Sequence, residues 1–143
     1  MTSSSPLVSI GLPTLNRYEL LQRSLDSVTA QTLGNFECVI IDNYSDDNTP
    51  DVCAAMTAKD SRFQCHRQTE RVTTFDNHNN PFARTSEDRE YYCFFADDDL
   101  WGPTFLEQCV TALERDPELV AVAPQFCYPV GESRRKNSWI GRT

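Results

Sequence analysis

Two runs of this chain, FECVII (36–41) and YYCFFA (91–96), are apolar almost from end to end, without a polar residue at every second place. A strand with one wet face alternates; a strand that does not is covered on both faces, as in a parallel sheet layered between helices. The shorter runs LVSIGL (7–12, closed by Pro13), RFQCHR (62–67) and ELVAVAPQF (118–126) read as further strands. Between them lie helical spacings. Asn16 is placed to cap RYELLQRSLDSVTAQ, where Leu20, Leu21, Leu25 and Val28 share a face, and Gly34-Asn35 ends it. Residues 50–58 carry Val52, Cys53 and Met56 on one side. DNHNNPFAR marks a helix of uncertain length within 68–90, and Pro103 opens one striped by Phe105, Leu106, Cys109, Val110 and Leu113. Strands alternating with helices predict an α/β fold, a mostly parallel sheet with helices on both faces, and 143 residues suffice for one domain.

In such sheets ligands bind beyond the carboxyl ends of the strands. Pro13-Thr14, Asp42-Asn43 and the triplet Asp97, Asp98, Asp99 all fall at strand ends, so one crevice should hold them. Three adjacent carboxylates at the end of the most hydrophobic stretch repel one another unless a cation joins them or a proton is retained. The plainer roles are an N-cap for the helix after Pro103 and, for Asp42, an Asx-turn. A net charge of −8 excludes a broad nucleic-acid or anionic-membrane surface. Six scattered cysteines without a CxxC pair read as reduced core thiols. His66 and His78 have no partner at ligand spacing and read as ordinary histidines. No segment has transmembrane length and the N-terminus lacks signal-peptide character, so the expected location is cytoplasmic.

In order, VSIGLPTLNRYELLQRSLDSVTAQTLGNFECVIIDNYSDDNT and EYYCFFADDDLWGPTFLEQCVTALERDPELVAV resemble the family 2 glycosyltransferases of the GT-A fold. The first matches the opening strand, the PTYNR-type loop, the helix ending in Q-T and the D-D/N-x-S-x-D-x-T turn. The second matches the strand that ends in a DxD motif. The likeness covers roughly residues 6 to 126. It implies a Rossmann-like GT-A nucleotide-binding sheet and a nucleotide-diphosphate-sugar donor, UDP- or dTDP-linked, whose sugar passes to an unknown acceptor, with inversion. Pro13, Thr14 and Asn16 would line the nucleoside pocket, and Asp42 and Asn43 would meet base and ribose. Asp97 and Asp98 belong to the same nucleotide site, Asp97 and Asp99 would bind Mn²⁺ or Mg²⁺, and Asn77, Asn79 and Asn80 are weaker sugar or phosphate candidates. A divalent cation suits this chemistry, because it neutralises the leaving phosphate and takes oxygen ligands.

The chain departs from the pattern at Asn43, where a second acid is usual, and at Leu15, where an aromatic is common. Pro81 stands near the last Asn of an NFNRA-type helix start, and Arg89 replaces a glycine before the strand. The expected organisation is a disordered lead-in (1–5), a donor-binding domain (6–128) and a polar tail (129–143) that begins a missing acceptor half. That half would hold the general base; Glu132 is the sole acid in the tail. Two other readings are a non-catalytic nucleotide or nucleotide-sugar binding module, and a phosphoacceptor receiver domain. The second calls for paired acids after the first strand and a lysine after the fifth, and this chain has neither at those places.

Overall fold

The structure is a computed structural model and describes residues 5–123. Eight elements follow in the order β1 (Val8–Thr14), α1 (Tyr18–Thr29), β2 (Phe36–Asp42), α2 (Thr49–Lys59), β3 (Phe63–Arg67), α3 (Thr74–Arg84), β4 (Tyr91–Phe94) and α4 (Phe105–Arg115). The strands form one sheet in the order β3-β2-β1-β4, and every neighbouring pair is parallel. The expected α/β fold, with helices on both faces, is what the chain adopts.

Strand alternation divides the two faces. Val8, Ile10 and Leu12 of β1, with Cys38 and Ile40 of β2 and Phe63 of β3, form one cluster with Leu21, Leu25 and Val28 of α1, Cys53 and Met56 of α2, and Leu106 and Val110 of α4. On the opposite face α3 packs on β1 and β2. There Gly11 lies so close under α3 that a Cβ would come 2.8 Å from Pro81 Cβ, and it would also strike the Tyr92 hydroxyl. Only glycine fits that approach.

Pro13 does not close β1, which runs on to Thr14. The Thr14 carbonyl accepts from the Asn43 amide at 3.0 Å, so Thr14 turns its backbone groups to β2 and Pro13 turns its own to the β4 side. Pairing with β4 has stopped there at Gly11, so the absent proline N–H costs no ladder bond.

Three expectations are corrected. Asn16 does not cap α1: it sits at φ 53°, Arg17 precedes the helix, and the Asn16 amide is engaged elsewhere. β4 ends at Phe94 and is not buried on both faces, because it is the sheet's edge among the described residues; Phe94 is 44% exposed. The expected fifth strand is not formed over 118–123, which follow α4 as turn and irregular chain. Its last residues, 124–126, the whole 129–143 tail and residues 1–4 lie outside the described residues.

Candidate functional site: a pocket at the carboxyl edge of the sheet

The ends of β1, β2 and β4 converge as parallel topology requires, and one pocket of about 330 Å³ opens above them. Its floor is Pro13, Thr14 and Leu15 after β1, with Asn43 after β2. Ala96, Asp97 and Asp98 form the acidic side, and Thr74, Asn77 and His78 of α3 the opposite wall. Arg17 and Phe94 complete the lining.

Asp97 ties these parts together. It is 7% exposed; one carboxylate oxygen accepts the Thr14 hydroxyl at 2.8 Å, and the other lies 3.1 Å from Arg17 Nη1. The same Arg17 nitrogen is 3.0 Å from Asp98 Oδ2. One guanidinium thus bridges two of the three carboxylates, and part of the expected neutralising charge comes from the chain itself. Asp99 has no such partner. Its carboxyl is raised above the ordinary carboxylate range, first by burial and then by the charges of Asp98 and Asp97.

The acidic turn is held from beneath by α1. The Ser24 hydroxyl sits 2.9 Å from the Asp97 carbonyl and 2.7 Å from that of Asp99. The Ser27 hydroxyl accepts from the Trp101 amide at 3.3 Å. Gln31 donates to the Gly102 carbonyl at 2.8 Å and accepts from the Leu106 amide at 3.0 Å, satisfying an otherwise orphaned N–H at the start of α4. Ser24 and Ser27 of α1, with Gln31 just past its end, recur at helical spacing, so a polar stripe runs beside the apolar one.

At the end of β2, Asp42 is 1% exposed. Its Oδ1 accepts from the Ser45 amide at 3.0 Å, while Oδ2 has no hydrogen-bond partner among the described residues and lies 3.8 Å from Arg67 Nε. Asn43 spends its amide on a reciprocal pair with the Val72 backbone, donating at 3.0 Å and accepting at 2.9 Å, which fixes the chain leading into α3. Asn16 makes a similar pair with Asp46, at 2.6 and 2.9 Å.

The structure therefore brings Pro13, Thr14, Asn43, Asn77, Asp97 and Asp98 to the pocket. Asn16, Asp42, Asp99, Asn79 and Asn80 do not line it. Sequence reasoning passed over Arg17, Thr74 and Phe94 as site residues and read His78 as an ordinary histidine; all four line the pocket. Thr74 lies three residues before Asn77 and four before His78, a helical spacing that was legible once α3 was placed.

Among the described residues no group of three or more His, Cys, Asp or Glu side chains is arranged to hold a metal ion. The donor set nevertheless fits a cation completed by phosphate oxygens, since hard cations use one or two carboxylates in that setting. Asp98 is half-exposed on the pocket wall, with Arg17 as its only ion-pair partner among the described residues. The Asp99 carboxylate accepts no hydrogen bond from the described residues.

The model of the family described as glycosyl transferase family 2 matches residues 9–142. Protein CgeD of Bacillus subtilis (strain 168) is 32% identical over 124 residues, which are 80% of this chain and 28% of that protein. A PGL/p-HBAD biosynthesis glycosyltransferase of Mycobacterium tuberculosis (strain ATCC 25177 / H37Ra) is 38% identical over 68 residues, 47% of this chain and 27% of that one. Among solved structures, the mannosyltransferase PcManGT from Pyrobaculum calidifontis, in complex with GDP-Man and Mn²⁺, superposes with a TM-score of 0.69 at 24% identity. That match covers 80% of this chain and 34% of the other. TarS 1-349 of S. aureus in complex with UDP gives 0.69 at 19% identity, covering 76% and 32%. At these identities the structural likeness carries the fold. The chain spans about a third or less of the length of these relatives.

Proposed function

Because this chain belongs to glycosyltransferase family 2, we propose that it is the donor-binding part of an enzyme that moves a sugar from a nucleoside-diphosphate carrier to an acceptor. The observation that carries this reading is the linked set Thr14–Asp97–Arg17–Asp98 on a pocket at the carboxyl edge of a parallel sheet. Such an edge is where this architecture takes ligands. A preorganised acid and base pair there can fix a polar ligand without reorganising on binding.

The nucleoside belongs over Pro13, Thr14 and Leu15. Asn43 positions the neighbouring loop, and Asp42 stands beneath the site with one oxygen to offer. With both oxygens of Asp97 committed, Asp98 is the first carboxylate to hold Mn²⁺ or Mg²⁺, and Asp99 the second. The bound cation would supply Lewis-acid neutralisation of the departing diphosphate. Arg17 is placed to turn one guanidinium face toward the same phosphates. Donors named in structural relatives include GDP-Man, UDP and UDP-GlcNAc; for this chain a UDP- or dTDP-sugar remains the proposal. Transfer would proceed with inversion, the general base lying in an acceptor-binding part. A cytoplasmic setting is part of the same reading; no helix among the described residues is long and apolar enough to cross a membrane.

Calorimetric titration of UDP-, dTDP- and GDP-sugars with Mn²⁺ or with EDTA, on the chain and on Asp98→Ala, tests this. The expected outcome is metal-dependent binding weakened at least about tenfold in the variant, the scale of losing one charge-assisted contact. Binding indifferent to both EDTA and the substitution would refute the metal-bridged site.

A further inference from the structure

The α3 wall of the pocket has a chemistry of its own. His78 lies nearly flat on Phe94 of β4, with ring centroids 5.0 Å apart and planes 18° apart. Its Nδ1 is 2.7 Å from the Thr74 carbonyl oxygen one turn earlier. A carbonyl only accepts, so Nδ1 carries the proton, and Nε2 of the neutral ring is left as a bare acceptor. The ring is thus fixed in both orientation and tautomer. Beside it Asn77 is 4% exposed, and its Oδ1 has no hydrogen-bond partner among the described residues. A buried acceptor left unpaired is costly. His78 Nε2 asks for a hydrogen-bond donor. A phosphate oxygen cannot supply one, whereas a hydroxyl group can.

The pocket runs across the sheet from the end of β2 at Asn43, past β1, to the end of β4 at Phe94. With the nucleoside at the β1–β2 end and the diphosphate at the acidic segment, the sugar is left with the His78–Phe94 end. Resting on the donor-site reading above, we propose that His78 is a specificity-determining residue. Nε2 accepts a hydroxyl proton from the donor's sugar, and the ring is held for that task by Phe94 and by the Thr74 carbonyl.

The test compares bare UDP, GDP and dTDP with their sugar conjugates by titration calorimetry in Mn²⁺, on the 143-residue chain and on His78→Phe and His78→Gln. His78→Phe keeps a flat ring against Phe94 and removes the acceptor. It is expected to weaken the sugar conjugate about fivefold, the worth of one hydrogen bond, and to leave the bare diphosphate unchanged. His78→Gln, which retains an acceptor oxygen, should restore most of the loss. Equal losses for conjugate and bare nucleotide, or no loss for either, would overturn the assignment. If circular dichroism shows His78→Phe to be misfolded, His78→Leu, which also removes the acceptor, takes its place: an unchanged affinity for the conjugate, or an equal loss for conjugate and bare nucleotide, overturns the assignment. Failure of the unaltered chain to bind any of the nucleotides would remove the donor-site reading first, and this one with it.

Discussion

Asp99 is the one member of the acidic triplet that the fold leaves electrostatically unsettled. Arg17 serves Asp97 and Asp98, while burial, followed by those two neighbours, raises the Asp99 carboxyl. A raised folded-state pKa means that the protonated form is favoured in the folded chain. That contribution is fully present below the unfolded pKa, about 3.9, and is lost as pH rises through the raised folded value. Asp99→Asn is therefore expected to raise the melting temperature at pH 7, with the gain shrinking toward about pH 4. Circular-dichroism melts at the two pH values check this; an equal gain at both would show that charge is not the cause. Mn²⁺ added at pH 7 should stabilise the unaltered chain more than the variant, because it relieves the same repulsion.

At the scale of elements, α1 and α3 do more than cover the sheet. The apolar face of α1 was readable from Leu21, Leu25 and Val28. Its polar stripe was not, because Ser24, Ser27 and Gln31 acquire meaning only when the 97–106 segment lies against them. α3 is short, contains Pro81 and begins under one side-chain cap: Thr73 Oγ1 accepts from the Asp76 amide at 3.2 Å. Thr73→Ala should cost about 1 kcal/mol of stability, readable as a shift in urea midpoint. Since α3 carries Asn77 and His78, the same change should weaken sugar-conjugate binding more than nucleotide binding.

Across the whole molecule, the sheet is not uniformly protected. β1 and β2 lie inside, paired on both sides, and Ile10, Leu12, Val39, Ile40 and Ile41 are fully buried. β4 is short and forms an edge among the described residues, with partly buried side chains and an exposed Phe94. Native-state hydrogen exchange should therefore be slowest for β1 and β2 amides and clearly faster in β4. Equal protection across the sheet would mean that β4 is covered by chain or partner on its outer side.

The sequence by itself determined the fold class, the order of the first four strands along the chain and the convergence of three polar segments at their carboxyl ends. Those follow from local pattern: unbroken apolar runs cannot be half-wet strands, helical stripes need a sheet to cover, and parallel connection puts all carboxyl ends on one edge. The motif order added the family. Tertiary structure alone decided which side chains of those ends reach the pocket. Asn16 and Asn43 are spent on Asp46 and Val72, Asp97 is saturated by Thr14 and Arg17, and His78 becomes a pocket wall by stacking on Phe94. These partners lie between 16 and 83 residues away in sequence, and no local pattern encodes which of several nearby polar groups will meet. β4's exposed edge was misread for the same reason: apolarity reports a residue's tolerance for burial, while the cover itself is supplied by a distant part of the chain.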